Sequence, residues 1–365
     1  MVVFGVTTRS TAIETCVRLY YRARVELPEL ASELREVLVS AMTDPEDHVR
    51  TTALRAAPIL YPDSEELATA LTRFGEREEN AELLSFVLHS AQGLDPKMVD
   101  ELVQGLSASR SGGPAVPDLI EGSDESELHE LARVWAAVHI ELFAVLPDSR
   151  CADTLRSWYT DPTEHRIQFE AAMSVMRSRL SFERTASERA KFMELVAVAA
   201  STLSERLRAP SVDAAVIKAA DQLVTELYFA SGAYESSSYP ERPTDEQRAA
   251  WYLQAKPILR AMTSSFHPRT AYDLLQILQS LVDVDPPEVF DAISDCVVGS
   301  PALRYETLGV ATVVEIVGQY LAFHRATVLH DPIRLNQLRQ ILETFADAGW
   351  PEALHLSYSL NDAFR

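Results

Sequence analysis

His129-Glu130 opens like the pattern H-E-x-x-H, in which two histidines one helical turn apart hold zinc and the glutamate serves as general base. Arg133 stands where the second histidine is needed. Arginine cannot ligate zinc, so the pattern fails at the residue that carries it. The other histidines are isolated in sequence, and the three cysteines, Cys16, Cys151 and Cys296, form neither a C-x-x-C pair nor a Cys/His cluster. Each thiol lies in an apolar helical context, which predicts a buried structural cysteine rather than a disulfide framework or a zinc ligand. No serine sits in a G-x-S-x-G elbow. Neither G-x-G-x-x-G nor G-x-x-x-x-G-K-[ST] occurs, and with 12 glycines the chain has few places for a phosphate-cradling turn. The acid pairs Glu65-Glu66 and Glu78-Glu79 are adjacent residues, which diverge by about 100° around a helix and form a solvated face rather than an acid–base pair. The sequence therefore predicts a chain without catalytic residues, cofactor or metal.

Charge narrows the choice of partner. The 365 residues carry a formal net charge of −21. Residues 1–149 hold 12 basic against 26 acidic side chains, residues 150–210 hold 10 against 8, and residues 211–365 hold 11 against 20. An acidic surface repels phosphate backbones, so direct nucleic-acid binding is disfavoured and a protein partner is expected. The central segment, with Arg150, Arg156, Arg166, Arg177, Arg179, Arg184, Arg189 and Lys191, is the one stretch that is not acidic. Nothing at the N-terminus reads as a secretory signal. The longest apolar run, Leu308 to Phe323, is interrupted by Glu315 and Gly318. It falls short of the roughly 18 clean residues of a membrane span and is expected as a fully buried helix. Unpaired cysteines and the missing signal fit a cytoplasmic protein with no membrane contact.

The elements that would position any site are helical throughout. Leu274, Leu275, Leu278, Leu281 and Val282 recur on one helical face, as do Leu335, Leu338, Ile341, Leu342 and Phe345. No Asn-Gly or Asp-Gly hairpin signal occurs. The periodicity predicts about seventeen helices, over 10–24, 28–43, 47–61, 64–75, 79–93, 97–107, 126–146, 148–160, 164–180, 185–207, 211–231, 244–265, 269–283, 287–298, 302–328, 332–347 and 351–363. Two polar, proline-containing stretches, 107–126 and 231–245, divide it into helical segments 1–106, 127–230 and 246–365. Stacked repeats bury their faces against neighbours, so these segments are expected as one continuous solenoid rather than independent domains.

The most telling spacing is a repeat. Asp44-Pro45-Glu46-Asp47-His48 returns as Asp161-Pro162-Thr163-Glu164-His165, each between an apolar helical run and an alanine-rich one. Further Asp-Pro junctions stand at Asp95, Asp285 and Asp331. Proline cannot continue the preceding helix, its fixed φ suits the first turn of the next, and aspartate caps that turn. Asp44 and Asp161 are therefore expected to cap the helices that follow them. The unit Leu34 to Ala57, with Val49-Arg50 opening its second helix and Ala53, Leu54 and Ala56 along it, resembles a HEAT-type repeat. At the second copy Arg166-Ile167 replaces Val-Arg, so the repeats are degenerate. The resemblance implies an all-α solenoid of stacked antiparallel helix pairs that binds macromolecules and performs no chemistry. The closing stretch Leu338 to Arg365, including Ala348-Gly349-Trp350-Pro351-Glu352-Ala353, resembles the helical tails of large bacterial multidomain NTPases.

These readings predict a non-catalytic interaction scaffold, a subunit of a larger complex. The alternative implied by the second resemblance is a regulatory or sensor module serving a separate NTPase or nuclease, as in bacterial anti-phage defence. Arg166 and Arg177 lie eleven residues apart on one helix face and are the expected contacts for an acidic or phosphate-bearing partner, while Arg179 lies about 200° around from Arg177. Trp135, Trp158 and Trp251 are expected in the core, and Trp350, between a helix-ending Gly349 and Pro351, either packs the last corner or anchors a partner.

Overall fold

The computed structural model describes residues 8–109, 125–234, 242–299, 307–347 and 349–351. All eighteen elements among the described residues are α-helices. The chain divides into two compact units, Met1–Leu155 and Arg156–Arg365. The first holds α1 (Thr8–Glu26), α2 (Pro28–Ala41), α3 (Asp47–Leu54), α4 (Ala57–Leu60), α5 (Ser64–Gly75), α6 (Ala81–Ala91), α7 (Pro96–Ser109) and α8 (Glu125–Val145). Helix α9 (Arg150–Thr160) spans the division. The second unit holds α10 (Arg166–Leu180), α11 (Ala186–Leu207), α12 (Ala214–Ser231), α13 (Asp245–Met262), α14 (Pro268–Ser280), α15 (Pro286–Gly299), α16 (Thr307–Phe323), α17 (Arg325–Leu329) and α18 (Pro332–Asp347).

Local chemistry explains where the helices start. Asp63 accepts from the N–H groups of Glu65 and Glu66 at α5, and Asn80 does the same for Glu82 and Leu83 at α6. Thr185 with Glu188 and Thr244 with Gln247 form reciprocal capping boxes at α11 and α13. At Asp95 and Asp331 the expected device is present: proline occupies the first helical position, and the carboxylate accepts from the next N–H, Lys97 or Ile333.

At Asp44 and Asp161 the expectation needs correction. Helix α3 begins two residues past Pro45, and α10 four past Pro162. The flanking caps are Glu46 and His165, neither of which makes a side-chain capping hydrogen bond. Asp44 Oδ1 accepts from Glu46 N–H at 2.9 Å, and Asp161 Oδ1 accepts from Glu164 N–H at 3.1 Å. Each carboxylate therefore caps the turn that leads into the helix, not the helix itself.

Two expected helices are split. The stretch read as 47–61 breaks at Arg55-Ala56 because Pro58, in the first turn of α4, has no N–H for the preceding ladder. The stretch read as 302–328 breaks at His324, whose φ of −125° and ψ of 31° leave the helix while its ring bonds Asp283 at 2.7 Å. Conversely α13 runs through Pro257. The helix expected over 351–363 lies outside the described residues beyond Pro351. Helix α16, expected to be fully buried, is not: Ala311, Glu315, Ala322 and Phe323 are exposed. No described helix is long and apolar enough to cross a membrane.

Within the first unit α1 packs on α2 and α3, α5 on α6 and α7, and α6 on α8. Within the second unit α10, α12, α14 and α16 lie side by side in one row, and α11 packs beside α13 in another. Trp158 and Trp251 are wholly buried and Trp135 nearly so, as expected. Trp251 donates its indole N–H to the carbonyl of Leu180 at 2.9 Å, tying α13 to the end of α10. Cys151 and Cys296 are buried, whereas Cys16 is only half-buried.

Candidate functional site

A concavity with a charged lining lies in the first unit. It is a groove of about 1020 Å³ between α2, the turn at Asp44-Pro45, and α5 with its C-terminal extension. Its inner wall is held by one arginine. Arg50 donates to both carboxylate oxygens of Glu78 at 2.7 and 2.9 Å, to Asp47 at 2.6 Å and to the carbonyls of Asp44 and Pro45. Glu78 also accepts from the N–H groups of Glu79 and Asn80, and Asn80 donates to Asp47 at 2.8 Å. Burial works against the guanidinium charge, but Glu78 and Asp47 outweigh it and raise the Arg50 pKa. Every charged group of this wall is thus hydrogen-bonded within the fold, two carboxylates sharing one guanidinium. Asp44, on the same side, is clamped by Arg9 of α1.

The rim is different. Arg73 and Arg77 are exposed one helical turn apart, and Arg35 lies over the ring of Tyr61, 5.2 Å from its centroid. Glu65, Glu66 and Glu79 are exposed as well. Among the described residues these six line the groove without an ion pair to one another or to the wall. Tyr61, Phe74, Val39 and Met42 supply apolar surface between them.

The second unit carries a polar ladder across its row of helices. Arg177 on α10 donates to Glu226 on α12 and lies over the Phe229 ring, 4.4 Å from its centroid. Gln222 donates to Glu226 at 2.8 Å. Thr225 and Asp221 on α12 bond Asp273 and Thr270 on α14, at 3.1 and 3.0 Å. Gln276 and Gln279 on α14 reach Thr312 and Glu315 on α16, at 3.0 and 3.3 Å. Burial raises the Asp273 carboxyl above the ordinary range. Apart from Gln222–Glu226 within α12, each of these bonds joins two helices packed side by side in the row, so the face is polar and fixed rather than a loose array of solvated groups.

The residues singled out in the sequence fall as follows. Arg177 is a member of the ladder, committed to Glu226. Arg166, in the first turn of α10, is half-buried and makes no ion pair among the described residues. Trp350 follows Gly349, whose φ is +82°; the N–H of Gly349 bonds Ala346 and that of Trp350 bonds Phe345, the pattern of a left-handed helix stop. Arg189, counted in the central basic stretch, is buried and spends its N–H groups on Gln254 and on the carbonyls of Ser181, Phe182 and Arg184.

Sequence spacing also gave no sign of a buried cluster in the first unit. Asp100 accepts from the Cys151 N–H at 3.1 Å, and Gln104 donates to the Cys151 sulfur at 3.5 Å. Burial, with Asp100 beside it, pushes the Cys151 thiol far up, so it is no nucleophile. His139, almost wholly buried, donates from Nδ1 to the Trp135 carbonyl at 2.9 Å, and burial lowers its pKa to about 4. No group of three or more metal-ligating side chains occurs among the described residues. No protein-family model matches the chain, and no curated protein matches it.

Proposed function

We propose that this protein is a non-catalytic scaffold for protein–protein interaction, built from degenerate HEAT-type helix pairs and acting as a cytoplasmic subunit of a larger complex. The observation that carries the reading is the division of labour in the first unit's groove. Its inner charges are consumed by the fold, while Arg35, Arg73, Arg77, Glu65, Glu66 and Glu79 stand at the rim around Tyr61 and Phe74. A polar, charged rim around an apolar centre is the composition of a non-obligate protein interface. The groove takes a peptide segment of the partner. Arg166 supplies a second contact on the other unit.

The test is an exchange of rim charge. Full-length protein carrying Arg73→Glu and Arg77→Glu is compared with wild type as bait in native lysate, beside a control in which exposed Arg208 is reversed. A partner retained by wild type and the control, but lost by the rim variant, supports the reading. Identical recovery by all three overturns the groove, and no saturable partner for any of them overturns the scaffold.

A further inference from the structure

The hairpin of α1 and α2 buries little of itself. Of the nineteen residues of α1 only Ser10, Tyr20 and Ala23 are buried, and the helix packs chiefly on α2 and α3. Its open side is apolar at one end: Val25 is 81% exposed, Leu27 55%, Leu19 46% and Leu30 39%. Its charges are sorted by helix. Helix α1 carries Arg9, Arg18, Arg22 and Arg24 against Glu14 and Glu26, whereas α2 carries Glu29, Glu33 and Glu36 against Arg35. Glu29, Glu33 and Glu36 stand at positions i, i+4 and i+7, all exposed, and so form one outward stripe. At 100° per residue Arg18, Arg22 and Val25 form the stripe of α1 opposite its buried face.

We propose that this hairpin face is the docking surface for a second copy of the same chain, joined as a two-fold symmetric dimer. An axis parallel to the helices and lying in the contact plane sets α1 of each copy antiparallel on α2 of the other. That operation keeps each residue's height along the hairpin. Counted from the turn at Leu27, Arg18 lies nine residues before it and Glu36 nine after; Arg22 lies five before and Glu33 six after; Val25 lies two before and Leu30 three after. The operation therefore brings Arg18 level with Glu36 of the partner subunit, Arg22 level with Glu33 of the partner subunit, and the apolar ends together. The alternative axis, across the helices, stacks like charge on like and is repelled. Two helices about 25 Å long and 20 Å wide cover roughly 500 Å² per copy, below the usual stable interface, so the association is weak and concentration-dependent.

Sedimentation equilibrium of the full chain tests this. Wild type is expected to dimerise with a dissociation constant on the order of 10–100 μM. Arg18→Glu with Arg22→Glu makes both helices acidic, and Glu33→Arg with Glu36→Arg makes both basic; each pair of changes is expected to weaken self-association by roughly tenfold or more. The two variants mixed are expected to form a heterodimer, because each α1 then meets an oppositely charged α2. The exchange sites are all exposed, and circular dichroism verifies that each variant keeps its helical fold. Wild type that stays monomeric at about 500 μM overturns the proposal. So does a dimer indifferent to both pairs of changes, or variants that each lose the dimer and do not associate when mixed.

Discussion

Asp161 does two jobs that a substitution series can separate. It caps the turn into α10, and it receives Arg206 through both oxygens at 3.0 Å. Burial works against its charge, but the Glu164 N–H, Arg206 and Thr163 outweigh it and hold the carboxyl below the usual range. Asp161→Asn keeps an oxygen for the turn and loses the ion pair, while Asp161→Ala loses both. The alanine variant is expected to cost about 0.5–2 kcal/mol, and the asparagine variant less than half of that, read by urea denaturation. Arg177 and Arg166 look alike in sequence and differ in structure. Arg177→Glu sets a second carboxylate against the buried Glu226 and is expected to cost about 3–5 kcal/mol, whereas Arg166→Glu stays within about 0.5 kcal/mol. Equal costs would refute the ladder. His139 gives the acid side of the stability profile. Its ordinary pKa of 6.5 falls to about 4 in the fold. The unfolded chain therefore binds the extra proton first, so the stabilisation is complete above about pH 6.5 and drains away between there and pH 4, by up to about 3 kcal/mol. Urea midpoints of His139→Phe, followed over the same range, are expected to lose that part of the slope. None of these roles could be read from spacing. Arg177 meets Glu226 across 49 residues, and Asp161 meets Arg206 across 45.

At the scale of elements, the sequence carried most of what the structure shows. Helical periodicity is local, and so are the caps, so the expected helices from α5 to α15 match the observed ones to within a few residues. The breaks at Ala56 and His324 escaped because apolar periodicity runs straight through them; only a missing N–H at Pro58 and a tertiary bond from His324 to Asp283 interrupt the chain. The groove escaped because its charged lining reads as ordinary solvated helix surface one residue at a time. Glycine offers a test of two similar helix ends. Gly232 and Gly349 both have positive φ, at +76° and +82°. A Cβ at Gly232 would stand 2.7 Å from the Phe182 ring, while one at Gly349 meets no atom within 4 Å among the described residues. Gly232→Ala is therefore expected to cost about 2–3 kcal/mol and Gly349→Ala about 1 kcal/mol, compared by thermal denaturation. A cost at Gly349 equal to that at Gly232 would show that the left-handed backbone, not the crowding, decides.

For the whole molecule, composition sets the solution behaviour. The excess of acid places the isoelectric point near 4.8. Solubility is expected to pass through a minimum there and to recover toward neutrality, where net charge opposes non-specific aggregation; turbidity against pH reads it directly. The all-α class was legible because every local signal agreed with it: few glycines, no hairpin dipeptides and unbroken helical periodicity. The row of α10, α12, α14 and α16 has a consequence for how the second unit comes into being. Its contacts join helices about 50 residues apart and seldom farther. Closing such short loops costs little entropy, and each new helix finds its neighbours already made. This unit is thus suited to assemble stepwise, from first helix to last, while the ribosome is still delivering the remainder.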